Sequence, residues 1–347
     1  MTVPPAPRQR PASTRVVRLA AALVLAFVTG CSASSPVTAG TARPSTSAAV
    51  PSLSAQQQKL ALSIARLRRE RDALEHQARS PAPKPASTAS KAPSAPTAPA
   101  PAQPATATTL STSFAALSSR LGGSIGLAYA SFGQPAKRLG NLSGGVGWST
   151  MKVPVAIAAV TQAGGHPGQA TLAQMRLAIT ASDNNAAMAI WAGLGSPTTA
   201  AAQTQAVLRQ GRDTTTVVPS QVLRPGYTPF GQSNWSLTAQ ATFAASLPCM
   251  VNTSQVLDLM GQITSSQRWG IGTLANTVAF KGGWGPGTGG AYLVRQMAVV
   301  RLGDGTRIGL ALAARPADGS FDTGISDLNA LAGWVAANIR SGGTNRC

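Results

Sequence analysis

No glutamate follows Glu75 in this chain of 347 residues, and only one other, Glu70, precedes it. Aspartate is scarce as well: Asp72, Asp183, Asp213, Asp258, Asp304, Asp318, Asp322 and Asp327. The two histidines, His76 and His166, lie far apart. They argue against a multi-histidine metal site and leave one histidine at most for a Ser-His-Asp triad in the C-terminal region. Nothing in the residues calls for a metal or a cofactor. From residue 32 to 113 there is no aromatic residue and a single glycine, Gly40. Such a stretch cannot bury enough apolar surface to offset the entropy of ordering it. No segment after residue 31 approaches the ~18 consecutive apolar residues of a membrane span.

What is abundant is positive charge, with 29 Lys and Arg against 10 acids, a formal +19. The charge is scattered, with neither a basic stripe nor a recognition motif, so nucleic acid is not the expected partner. It suits a surface facing an anionic envelope, and equally suits plain solubility.

Residues 1–31 read as an export signal. Arg8, Arg10, Arg15 and Arg18 precede a short apolar run over residues 19–28, and Val28-Thr29-Gly30-Cys31 follows. Small residues before a cysteine resemble the bacterial lipobox. Lipidation of Cys31 then anchors the chain to the outer face of the cell membrane. Outside the cytoplasm disulfides form, and the remaining pair, Cys249 and Cys347, is expected to bridge. Residues 32–110 read as a tether, with eight prolines among Ala, Ser and Thr over 81–104. Within it, Leu60, Ile64, Leu67 and Leu74 keep heptad spacing, with Arg71 in the seam. A helix near residues 54–79 is expected there, either a solvated spacer or a weak coiled coil.

All six tryptophans and all three tyrosines follow residue 114, which places the folded domain at about 111–347. Residues 124–131 alternate like a strand, and a second strand is expected around 136–142. A mostly helical middle runs from residue 149 to about 264. Three strand-like runs follow, at 277–281, 291–301 and 307–314, the last two joined by the turn signal Gly303-Asp304-Gly305. A terminal amphipathic helix is expected over 325–339. This order predicts an α+β domain, an antiparallel sheet flanked by helices.

Three short motifs carry chemistry. In Ser149-Thr150-Met151-Lys152 the serine and lysine, three apart, share a helix face. A lysine with a depressed pKa can take a serine proton, and a helix N-terminus offers N–H groups to an oxyanion. Taken alone, the same residues also suit an N-capping serine and a snorkelling lysine. Ser182-Asp183-Asn184 also suits a helix cap. Lys281-Gly282-Gly283 also suits a glycine turn after a strand.

Together and in this order, the motifs resemble those of the penicillin-recognising serine enzymes, the class A β-lactamases and the D-Ala-D-Ala peptidases. The likeness extends through Trp148 to Pro154, through Leu177 to Ala187 and through Phe280 to Trp284, and covers most of 115–342. It implies a β-lactamase-like fold without cofactor, and a peptidoglycan peptide or β-lactam-like small molecule as partner. It implies Ser149 as nucleophile, Lys152 as base and Ser182 as proton relay. Asn184 and Lys281 would then bind substrate, beside Gly283, with the Ser149 and Trp284 N–H groups as oxyanion hole. The sequence departs from the family in three places. Residues 185–280 hold no glutamate to activate a deacylating water, only Asp213 and Asp258, with Gln221 in the loop region. The hydroxyl residue expected after Lys281 is Gly282. Ser149 and Ser182 are only 33 positions apart, so a shortened helical subdomain is expected.

Overall fold

The computed structural model describes residues 107–340 and Cys347. The signal segment with Cys31 and the helix expected near 54–79 lie outside the described residues. Helix α1 (Ala107–Leu121) opens the described chain, inside the last residues of the expected tether. Its Phe114 meets Trp334 edge-on at 5.1 Å, and Ser113 accepts the Trp334 Nε1–H at 2.7 Å.

The sheet is antiparallel and five-stranded. It contains β1 (Ser124–Ala130), β2 (Lys137–Gly140), β5 (Thr277–Pro286), β6 (Tyr292–Arg301) and β7 (Arg307–Arg315), in the order β2-β1-β7-β6-β5. The alternation of strand side chains sorts the two faces. Ala311 and Ala313 join Ala128, Leu237 and Ala241 in one apolar layer, and small side chains there let a helix lie close to the sheet. That helix is α6 (Leu237–Ser246). On the other face, Leu310, Leu312 and Val294 belong to the main core, together with Leu328, Leu331 and Val335 of α8 (Phe321–Asn338). Gly303 and Gly305 bracket the β6–β7 turn as expected.

The helical middle resolves into α2 (Lys152–Gln162), α3 (Gln169–Thr180), α4 (Asn184–Gly193), α5 (Pro197–Gln210), α6 and α7 (Ser254–Met260). Two helices, α2 and α3, fill the space between the first two motifs. The middle is not all helical. A second small sheet pairs β3 (Gly144–Val146) with β4 (Asn234–Ser236), and an irregular stretch joins α5 to β4. Strand β5 also corrects the expectation at the third motif. It does not end at Lys281 but runs through Gly282 and Gly283 to Pro286, paired with β6 throughout, so the glycines form strand and not turn. The expected bridge is present: Cys249 and Cys347 are bonded with Cα atoms 5.3 Å apart, in the usual range. It ties the chain end to the turn after α6.

Asp327 of α8 is an acid in an apolar setting. It is buried and its Oδ2 lacks a hydrogen-bond partner. Burial, aided by the charge of Asp318, raises its pKa to about 6. The folded state therefore holds a proton that the unfolded chain releases near pH 4, and stability is lost as pH rises through about 4 to 6. Asp327→Asn copies the protonated form. It is expected to stabilise the protein at pH 7.5 by about 1–2 kcal/mol and to give no gain below pH 4, read from urea midpoints at both pH values.

Candidate active site

Ser149 lies in a single 3₁₀ turn, Trp148–Met151, that runs directly into α2. Gly147 caps that turn with no side-chain bond, so the capping role open to Ser149 in the sequence is not used. Trp148, just before it, sits at φ 50°, a region costly for a bulky side chain and found most often at functional sites. A buried network holds the turn. Arg295 of β6, fully buried, donates to the carbonyls of Gly145, Val146 and Trp235 and to Gln240 Oε1 at 2.6 Å. Gln240 Nε2 donates to Thr150 Oγ1 at 2.9 Å, and Thr150 Oγ1 donates to the Gly147 carbonyl at 2.5 Å. The network thus ties the β3–β4 pair, α6 and the sheet to the residue next to Ser149. It leaves no mark in the sequence, because its members come from four separate segments with no shared spacing.

Lys152 does not snorkel. It is 1% exposed, and its Nζ lies 3.0 Å from Ser149 Oγ. The same amine donates to Asn184 Oδ1 at 2.8 Å and to the Ser182 carbonyl, and lies 3.3 Å from Ser182 Oγ. Burial lowers its pKa to about 7, against the opposing pull of Asp183. A neutral amine has two N–H groups and one lone pair. Asn184 Oδ1 and the Ser182 carbonyl can only accept, so they take both N–H groups. The lone pair is left for the two hydroxyls beside it, of which Ser149 Oγ at 3.0 Å is nearer than Ser182 Oγ at 3.3 Å.

The second motif does two jobs. Asp183 caps α4, its Oδ1 accepting from the Ala186 N–H at 2.7 Å, as the helix-cap reading had it. Ser182, at φ 60°, turns its hydroxyl between the two lysines. Lys281 Nζ donates to Ser182 Oγ at 2.9 Å and to the Gly282 carbonyl at 2.9 Å. Lys281 is fully buried, and that burial, reinforced by Lys152, holds its pKa well below the usual lysine range.

Gly283 explains how β5 comes so close. A β-carbon there would lie 2.9 Å from the backbone nitrogens of both Ser149 and Thr150, so only glycine fits. The next residue, Trp284, lines a cleft of about 370 Å³ that also contains Ser149, Asn184, Asn185 and Tyr227. Trp148 and Tyr227 meet there at 5.1 Å. Arg224 stacks on Tyr227 at 4.1 Å and donates to the Pro286 carbonyl at 2.7 Å, strapping the α5–β4 stretch to the end of β5.

Of the two acids between the second and third motifs, neither lines the cleft. Asp213 is buried, and its Oδ1 accepts from Thr215 and Thr216. Asp258 is exposed on α7. Among the described residues, no group of three or more His, Cys, Asp or Glu is placed to hold a metal ion. Of the seven expected site residues, Ser149, Asn184 and Trp284 line the cleft, while Lys152, Ser182 and Lys281 form a hydrogen-bonded chain behind Ser149 and Gly283 lies against its backbone.

Solved structures match this arrangement of helices and strands over the whole of their own length. TLA-3 extended-spectrum β-lactamase superposes with a TM-score of 0.54 at 12% identity, covering 67% of this chain and 99% of that one. The chain has a β-lactamase fold. TLA-1 extended-spectrum β-lactamase gives a TM-score of 0.54 at 11% identity, over 67% of this chain and 99% of that one. A β-lactamase from Chitinophaga pinensis gives 0.52 at 16% identity, over 66% and 99%. No family model and no curated protein matches the sequence. The likeness is thus one of fold, and the chemistry of this β-lactamase-like domain rests on its own side chains.

Proposed function

We propose that this protein is a lipid-anchored, extracytoplasmic serine hydrolase that forms an acyl-enzyme on Ser149 with a cell-wall peptide or a related amide or ester. The observation that carries this reading is the Lys152 amine, 3.0 Å from Ser149 Oγ and with a pKa near 7. A base so tuned is half neutral at physiological pH and can accept the serine proton as Oγ attacks a carbonyl. The oxyanion that forms lies against the Ser149 and Trp284 N–H groups. Ser182, bonded to Lys281 and close to Lys152, passes the proton on to the leaving nitrogen or oxygen. Asn184 keeps Lys152 in place and faces the substrate amide. Support for the anchor is the sequence of residues 1–31 and the Cys249–Cys347 bridge, which suits an oxidising compartment.

The test is covalent capture. The purified chain is incubated separately with a fluorescent penicillin and with p-nitrophenyl acetate, quenched in acid and weighed intact. An adduct on Ser149 with at least one reagent, absent in Ser149→Ala, is the expected result. Failure of both to modify Ser149 overturns the reading and leaves a non-catalytic envelope protein that keeps the fold for binding.

A further inference from the structure

The place of the missing hydroxyl at position 282 is already filled. A β-carbon on Gly282 would lie 3.1 Å from the indole of Trp269. Directly opposite on β6 stands Gln296, fully buried, where its amide is used at both ends. Its Nε2 donates to the Trp269 carbonyl at 2.7 Å, and its Oε1 accepts the Ile271 N–H at 2.8 Å. Trp269 is held there, its ring 5.9 Å from Trp284 and 6.3 Å from Phe321. The face of β5 opposite to Lys281 and Gly283 is therefore an aromatic wall, of which Trp284 reaches the cleft. It presents neither a hydroxyl nor a guanidinium.

The rest of the cleft agrees. No charged side chain lines it, and its walls include Trp148, Met188, Val222, Tyr227 and Trp284. Met188 is 37% and Val222 50% exposed, which leaves apolar surface open at the mouth. The two lysines lie buried beneath the floor, with the Lys281 amine turned to Ser182 and the Gly282 carbonyl. Arg224 is committed to Tyr227 and Pro286. A carboxylate entering this cleft would lose water and find only neutral donors, such as Asn185, Tyr227 and Thr228, with no cation among the lining side chains to offset the loss.

We propose that the site selects acyl donors without a carboxylate beside the scissile bond: uncharged esters or amides whose apolar part seats against Trp148, Tyr227 and Trp284. The inference rests on the reading of Ser149 as nucleophile. In the step itself, Ser149 Oγ bonds to the acyl carbon and the bond from that carbon to the leaving oxygen, sulfur or nitrogen breaks. The serine proton travels through Lys152 and Ser182 to the leaving atom. Water then cleaves the Ser149 ester, giving a carboxylic acid and restoring the hydroxyl.

The experiment compares two substrates that differ in whether one carboxylate is free or capped as a methyl ester. Hippuryl thioglycolate carries a carboxylate next to its scissile thioester, and its methyl ester does not. Free thiol release by the purified chain is followed for both, with Ser149→Ala as blank. The expected result is a kcat/KM at least tenfold higher for the methyl ester. An anionic substrate handled equally well or better, with Ser149 acylated by it, overturns the inference and leaves the nucleophile intact. If neither substrate nor p-nitrophenyl acetate acylates Ser149, the reading of Ser149 fails and takes this inference with it. The double variant Trp269→Leu/Gly282→Ser is expected to narrow the preference at least threefold. An unchanged preference, in a variant whose circular dichroism melt matches the parent, overturns the role given to Trp269.

Discussion

Replacing Lys152 with methionine is expected to slow acylation of Ser149 about 10³-fold, and replacing it with arginine is expected to slow it by a similar amount. Methionine keeps much of the volume. Arginine keeps the positive charge and the donors for Asn184 and the Ser182 carbonyl, but never offers a lone pair near neutral pH. A lysine that only propped up the site would be rescued, at least in part, by arginine. A lysine that takes the serine proton is not. The parent protein should show the matching pH dependence. Only the neutral amine can accept a proton, so acylation is expected to rise with pH and level off above about 7, the value to which burial has lowered Lys152. Below pH 6 the rate should fall close to tenfold per unit. Stopped-flow acylation by a p-nitrophenyl ester between pH 5 and 9 measures this, and a flat profile would contradict the assignment. The same shift leaves a mark on stability. Between about pH 7 and 10 the folded protein binds fewer protons at this site than the unfolded chain, so stability rises with pH across that window. This is opposite in sign to the contribution of Asp327 at lower pH.

The lysine could be placed from sequence because two constraints are local. Ser149 and Lys152 are three residues apart at the start of a helix, and one turn is enough to bring them together. The strands were legible for a similar reason: β1, β6 and β7 read as regular strands and the β6–β7 turn has its glycines. The chemistry of Gly282 and Gly283 was harder. Two successive glycines look like a turn, and nothing nearby says that the strand must continue because Gly283 touches the Ser149 and Thr150 backbone. Only the folded chain brings residues 134 positions apart into contact. Trp269, Gln296, Arg295 and Gln240 were illegible for the same reason. None of them belongs to a motif or a fixed spacing, and each takes its place from partners on other elements. The small β3–β4 sheet went unseen because each of its strands is three residues long, too short for an alternation to register.

The scarcity of acid has its consequence in the second half of the proposed reaction. Acylation uses groups that are all present: a base near pKa 7, a bridging hydroxyl and buried lysines. Deacylation needs a water made nucleophilic, and a general base for it is worth on the order of 10²–10⁴-fold. The α5–β4 stretch that passes the cleft spends its single carboxylate, Asp213, on its own turn, bonded to Thr215 and Thr216. It meets the cleft with Val222, Tyr227, Thr228 and Pro229. The acyl-enzyme is therefore expected to accumulate. A chromogenic ester should give a burst close to one equivalent per chain, followed by a steady rate at least a hundredfold slower. Hydroxylamine, which needs no base to attack an ester, should raise the steady rate severalfold without changing the burst. A steady rate equal to the burst rate would mean that another group activates the water. The nearest is Lys152 itself. Once acylation has passed its proton on through Ser182, its lone pair again faces the Ser149 oxygen, now esterified. The amine is then free to serve a water on the far side only if the acyl group leaves room between Ser149 and Asn184. A bulky acyl group closes that space and a small one leaves it open. The ratio of burst to steady rate is thus expected to grow with the size of the acyl group, from acetyl to benzoyl, and that trend separates slow hydrolysis by Lys152 from hydrolysis by a base elsewhere.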